Sequence, residues 1–183
     1  MIKHIYTYIR LILIAIPFTF LFFGAKVIAL PFFVAVILFT LSIPAKRFIN
    51  KERFTDFEVR LNYFMDEFFV YGAVILLSHN HIAPLWVVIV YFFKDATIGA
   101  IRNFAIKSGE ELNERFGYKI DKVVQYCLIV VASAVLLCAT NKCELINISL
   151  LNNLFIASAA LSALTLLIFF IANKDFMKKI HHS

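Results

Sequence analysis

Five glycines, four prolines, three cysteines and one tryptophan are all that 183 residues contain of these types. No apolar segment is interrupted at its middle by Gly and Pro, a common mark of transporter sites, so a small transporter is the least favoured reading. Cys127, Cys138 and Cys143 show no metal-binding or redox spacing. Cys127 reads as a small apolar filler within a helix, while Cys138 and Cys143 stand close enough to pair near the outer surface. Nothing resembles a nucleic-acid reading motif, so nucleic acid is not expected as a partner. The first apolar run is interrupted by Arg10 and has no small-x-small cleavage site, which argues for a retained first helix over a signal peptide. Acidic residues are also missing from the first quarter of the chain: no Asp precedes Asp56, and the one earlier acid is Glu52.

What the chain has in excess is apolar. Hydrophobic residues make up 62% of it, with 21 phenylalanines, against about 45–50% in soluble domains. They come in blocks near membrane-spanning length: about Ile5 to Gly24, Val27 to Ile43, Leu61 to Leu77, Ile82 to Lys107, Lys122 to Thr140 and Asn153 to Ala172. Each can cross a hydrocarbon core of about 30 Å with some tilt. The expectation is an all-α integral membrane protein, a six-transmembrane-helix bundle forming a single domain over residues 1–183. The formal charge of +6 has the same origin, because the basic residues cluster between the apolar blocks. Lys3, then Lys46, Arg47, Lys51, Arg53 and Arg60, then Lys107, Arg115 and Lys119, then Lys174, Lys178 and Lys179 fall on one side; Lys26 and Lys142 fall on the other. The positive-inside rule makes the first side cytoplasmic, with both termini. Between the second and third blocks, Pro44 to Arg60 alternates bases with Phe48, Ile49, Phe54 and Phe57, the pattern of an amphipathic segment at the headgroup level.

Charge placed inside such blocks is costly, and a bundle that keeps it usually turns it toward a cavity or a partner. The densest case is Lys94 to Gln125, which holds Lys94, Asp95, Arg102, Lys119, Asp121, Lys122 and Gln125 around two predicted helix ends. Asp95 and Arg102 are seven positions apart, and Asp121 and Gln125 four, so each pair shares a helix face. Asn62 and Asp66 do the same at the start of the third block. Asp66, Asp95, Arg102, Lys119 and Lys122 together suit a phosphate-bearing substrate at the membrane surface, with the bases on phosphate and the carboxylates on a divalent cation or on the Arg. The plainer reading is that Asp95 and Arg102 neutralise each other and the lysines snorkel to the interface. His79 and His81, in a short turn on the opposite side, read as surface residues.

Four stretches carry a family resemblance. YTYIRLILIAIPF, LNYFMDEFFVYGAVILL, KDATIGAIRNFAIKSG and GYKIDKVVQ resemble successive helices of the CDP-alcohol phosphatidyltransferases, most of all the phosphatidylglycerophosphate synthase branch. The resemblance implies transfer of a phosphatidyl group from CDP-diacylglycerol to glycerol 3-phosphate or another small phosphorylated alcohol, with CMP leaving. It also implies Mg²⁺ or Mn²⁺, a bacterial-type inner membrane and a homodimer. Carried over by position, Asp66 would be catalytic, and Asp66 with Asn62 would face the metal. Arg102, Lys119 and Lys122 would bind substrate phosphate, with Asp95 and Gln125 in support. The family pattern has four Asp, D-x2-D-G-x2-A-R-x8-G-x3-D-x3-D. Here Asn62 stands for the third, Leu41 and Pro44 fall where the first two belong, and Glu58 replaces the second Gly. Glu67 replaces a Lys beyond the motif, and Asp121 falls where a later Lys would be. Asn can ligate through its carbonyl but cannot act as an ionised base, and Leu and Pro do neither. Two expectations therefore stand side by side: a phosphatidyltransferase with divergent metal ligands, and a catalytically inactive relative that binds lipid or a partner.

Overall fold

The first helix ends soon after Pro17, whose ring removes a backbone donor from the ladder. In the computed structural model, α1 (Ile2–Thr19) passes into one 3₁₀ turn (Phe20–Phe22), where the sequence predicts helix to Gly24. Backbone is described for residues 2–22, 25–49, 56–109, 112, 117–140 and 147–181, and side chains for 7–21, 27–43, 61–105, 108–109, 112, 119–140 and 147–178. The described residues continue through α2 (Ala25–Ile49), α3 (Asp56–His79), α4 (Trp86–Ser108), α5 (Gly117–Thr140), α6 (Ile148–Ala172) and α7 (Lys174–His181).

Helix ends follow local chemistry. Ile82 to Pro84, predicted as the start of the fourth helix, belong to a turn. His81 takes the left-handed conformation there at φ 60°, and the Ile82 N–H donates back to the Leu77 carbonyl at 2.9 Å. α6 begins earlier than predicted because Asn147 caps it, its side chain accepting from the Ser149 N–H at 2.9 Å. The segment predicted to lie flat at the interface is divided in the structure: residues 44–49 extend α2 and 56–60 open α3, while 50–55 lie outside the described residues. α7 is an addition to the sequence reading; it buries Phe176 against Ile98, Ile101, Ala105 and Phe169.

α3 and α5 are the central helices. α3 packs on α1, α4 and α5, and α5 on α2, α3 and α6, while α4 also lies on α6. At one crossing α1 comes very close to α3: a Cβ added to Gly72 would sit 2.7 Å from Phe18 Cε2. The outer faces are apolar. On α6 the buried positions include Ser158, Ala159, Ser162 and Thr165, whereas Leu154, Leu164, Leu167 and Ile171 are exposed. Small and hydroxyl side chains inward, with large aliphatic ones outward, are how helices pack when the surroundings are lipid. Leu61–His79, Lys119–Thr140 and Ile148–Ala172 are long and apolar enough to cross a membrane, and Thr7–Thr19 and Val27–Ile43 are shorter apolar helices. This is a multi-pass membrane protein.

Candidate functional site

Two polar clusters lie among these helices. The first is built on Arg10, a cation in the middle of α1 that is fully buried. Its guanidinium pairs with the Asp66 carboxylate and donates through Nη1 to Asn62 Oδ1 at 3.1 Å. Its Cζ lies 4.6 Å from the centroid of the Phe39 ring, which stacks on Phe69 at 3.8 Å. Three helices thus hold one guanidinium: α1 supplies it, α3 supplies the anion and the amide, and α2 supplies an aromatic face. Tyr126 of α5 reaches the same place, donating to the Asp66 backbone carbonyl at 3.4 Å.

The second cluster joins α3, α4, α5 and α6. Lys94 pairs with Asp121 and lies 3.1 Å from Asp95 Oδ1. Lys122 donates to Asp95 Oδ2 at 2.8 Å, and the Tyr71 hydroxyl donates to the same oxygen at 3.0 Å. Asp121 accepts from Ser162 Oγ at 2.6 Å and from Gln125 Nε2 at 3.2 Å, and Gln125 also donates to Ser162 at 3.1 Å. Two cations and two anions cancel. That is the condition under which charges persist away from water, since an unpaired one would be severely penalised. Nearby, Tyr91 and Ser158 share a hydroxyl–hydroxyl hydrogen bond between α4 and α6.

The sequence-predicted residues divide between these clusters. Asp66 and Asn62 meet in the first, while Asp95, Lys122 and Gln125 meet in the second. Arg102 lies with its Cζ 5.6 Å from the Tyr63 ring centroid, toward the end of α4, and Lys119 is exposed in the first turn of α5. Glu67, one residue beyond Asp66 on α3, lies near Asp95, Lys122 and Lys94 of the second cluster and near Arg102. Sequence reasoning left Arg10, Tyr71 and Ser162 outside the site, and placed Lys94 and Asp121 in the charged stretch without giving them a role there. Arg10 had a signal, because an Arg inside an apolar run needs a partner. Ser162 had none, since a lone serine in an apolar helix has many structural uses.

The first cluster does not fit the pair of divalent cations that the resemblance implies. Among the described residues no group of three His, Cys, Asp or Glu is placed to hold a metal ion. Asp66 is paired to a guanidinium, Asn62 contributes a neutral amide to the same group, and Leu41 is an exposed apolar side chain. The side chains of Asp56 and Glu58, and likewise Pro44 and Cys143, lie outside the described ones. Cys127 and Cys138 are free thiols.

No curated protein and no solved structure matches the chain. The family description "CDP-alcohol phosphatidyltransferase" matches residues 51–171, from just before α3 almost to the end of α6, beginning after Leu41 and Pro44 and including Asn62, Asp66 and every residue of the second cluster. With well over half its length matched, the chain belongs to the CDP-alcohol phosphatidyltransferase family.

Proposed function

We propose that this chain is a phosphatidylglycerophosphate synthase-like membrane protein of phospholipid biosynthesis, acting on CDP-diacylglycerol with glycerol 3-phosphate as acceptor. In the reaction the acceptor hydroxyl oxygen bonds to the lipid-side phosphorus, the phosphoanhydride bond to CMP breaks, and CMP departs with the bonding pair. Asp66, whose side chain stays 20% exposed, is assigned to receive the hydroxyl proton. Arg102, Lys119 and Lys122 are assigned to substrate phosphate, the guanidinium and ammonium groups meeting charge on the phosphoryl oxygens. Asp95 and Gln125 hold that side in place.

The observation carrying this reading is that the family match spans α3 to α6, the helices that carry Asp66, Arg102, Lys119 and Lys122. The six-span topology with cytoplasmic termini, a bacterial-type inner membrane and a homodimer complete the proposal. A second reading, a catalytically inactive relative that binds lipid or a partner, is favoured by one contact: the Arg10–Asp66 pair occupies the carboxylate. Purified, folded protein given CDP-diacylglycerol and glycerol 3-phosphate, in the presence of Mg²⁺ or Mn²⁺ and again in their absence, separates the two. CMP release that requires both substrates and is lost in Asp66→Asn supports transfer; no release above a substrate-free control supports the second reading.

A further inference from the structure

We infer that Arg10 is a built-in cation that holds the place of a divalent metal between Asn62 and Asp66, so that this pair binds a guanidinium and not an ion from solution. The inference rests on the family assignment of those two positions and holds under either reading of activity, because it concerns only what the pair binds.

Three observations carry it. Nη1 and Nη2 of one guanidinium engage Asn62 and Asp66 separately, so one group meets both side chains that the family pattern would place toward metal. The guanidinium is enclosed: Arg10, Asn62 and Phe39 are all fully buried, and the Phe39 ring covers one face of it at 4.6 Å. An arginine in that setting keeps its charge, since guanidinium is not deprotonated in proteins. A metal entering here would meet a fixed positive charge at contact distance, with one carboxylate among the described residues to offset both.

The residue at position 62 fits. A guanidinium carries one positive charge where two divalent cations carry four, so an Arg-filled site needs fewer anions than a metal-filled one. Asn62 in place of a carboxylate lowers the anionic count beside Arg10 accordingly. A carboxylate at position 62 would add a second buried negative charge beside Arg10, whereas among the described residues Asp66 alone leaves the pair neutral.

The test is Mn²⁺ binding, read by electron paramagnetic resonance of free Mn²⁺ and by the shift in melting temperature, on purified full-length protein in detergent. Wild type and Asp66→Asn should show the same weak, nonspecific Mn²⁺ uptake and no Mn²⁺-dependent rise in melting temperature. Arg10→Gln combined with Asn62→Asp should bind Mn²⁺ more tightly by on the order of a hundredfold or more, the consequence of removing a nearby positive charge and adding a negative one, and its melting temperature should climb with Mn²⁺. Wild-type protein that binds Mn²⁺ and loses it in Asp66→Asn would overturn the inference. That comparison leaves the Arg10 contact intact in wild type, so it decides the matter even if the Arg10 variant does not fold. A failure of CMP release leaves the inference standing, whereas Asp66-dependent Mn²⁺ uptake by wild type defeats it whatever the activity.

Discussion

Lys122 Nζ and Asp95 Oδ2 meet at 2.8 Å across the packing of α4 and α5, and Tyr71 of α3 donates to the same oxygen at 3.0 Å. Asp95 therefore ties three helices at one carboxylate, with Lys94 3.1 Å from its other oxygen. Asp95→Ala leaves two lysines short of an anion in a buried network. A loss of about 3–5 kcal/mol is expected from the cost of breaking such a pair, seen as a large fall in melting temperature in detergent.

Ser162 contributes on a smaller scale. Its hydroxyl donates to Asp121 at 2.6 Å, but Asp121 keeps Lys94 and Gln125. Ser162→Ala should cost about 1–2 kcal/mol, the scale of one hydrogen bond to a charged group. Asp121→Ala should cost several times more by the same melting measurement.

Removing the phosphate-side charges should affect ligand binding more than folding. Lys119 is exposed, so Lys119→Ala should leave the melting temperature within a degree or two of wild type. Affinity for glycerol 3-phosphate or CDP-diacylglycerol should fall about tenfold or more, from one charge-assisted hydrogen bond worth roughly 1.5–3 kcal/mol. Arg102→Ala should weaken binding similarly, and Arg102→Lys should restore only part of it, because a lysine lacks the planar fork. Isothermal titration in detergent reads both.

The α1–α3 crossing gives a prediction remote from the charges. With a Cβ at Gly72 only 2.7 Å from Phe18 Cε2, Gly72→Leu should cost about 1–3 kcal/mol by overpacking. Combining it with Phe18→Ala should recover part of that loss, a coupling that a double-mutant cycle measures.

Orientation can be checked without purification. Lys and Arg concentrate in the second and fourth connections and in the tail, so reporters active only in the cytoplasm should be active when fused after residue 52 or after the C-terminus. Those active only outside should be active when fused near Asn80. Activity with the opposite sidedness would refute the proposed topology.

Much of this arrangement was legible in the chain. Apolar blocks placed the helices, and the charges at Lys94, Asp95 and Lys122 announced a polar interior, because such residues are tolerated in a bundle only when they have partners. Helix boundaries were less legible where they depend on local hydrogen bonds. Asn147 caps α6 before its apolar run begins, and the turn at His81 runs on through the apolar Ile82 and Ala83, which the sequence reads as helix. Spacing put Asp95 and Arg102 on one helix face, but i to i+7 spacing says nothing of partners on other helices. Lys122 and Tyr71 hold Asp95, while Arg102 lies over Tyr63. The Arg10–Asp66 pair joins residues 56 positions apart, a distance that no periodicity bridges. The sequence reading names only the lysines of the tail, and α7 escapes it because the burial of Phe176 depends on a surface made by α4 and α6.

The central claim is that this chain meets its substrate's phosphates with its own cations, with the place expected for metal taken by Arg10. Binding of CDP-diacylglycerol to the purified protein, measured in EDTA and again in excess Mg²⁺, tests it most directly. The account predicts binding in EDTA that is not strengthened by Mg²⁺ and is weakened by Arg102→Ala and Lys119→Ala. Binding that appears only when Mg²⁺ is supplied, and disappears in Asp66→Asn, would contradict it.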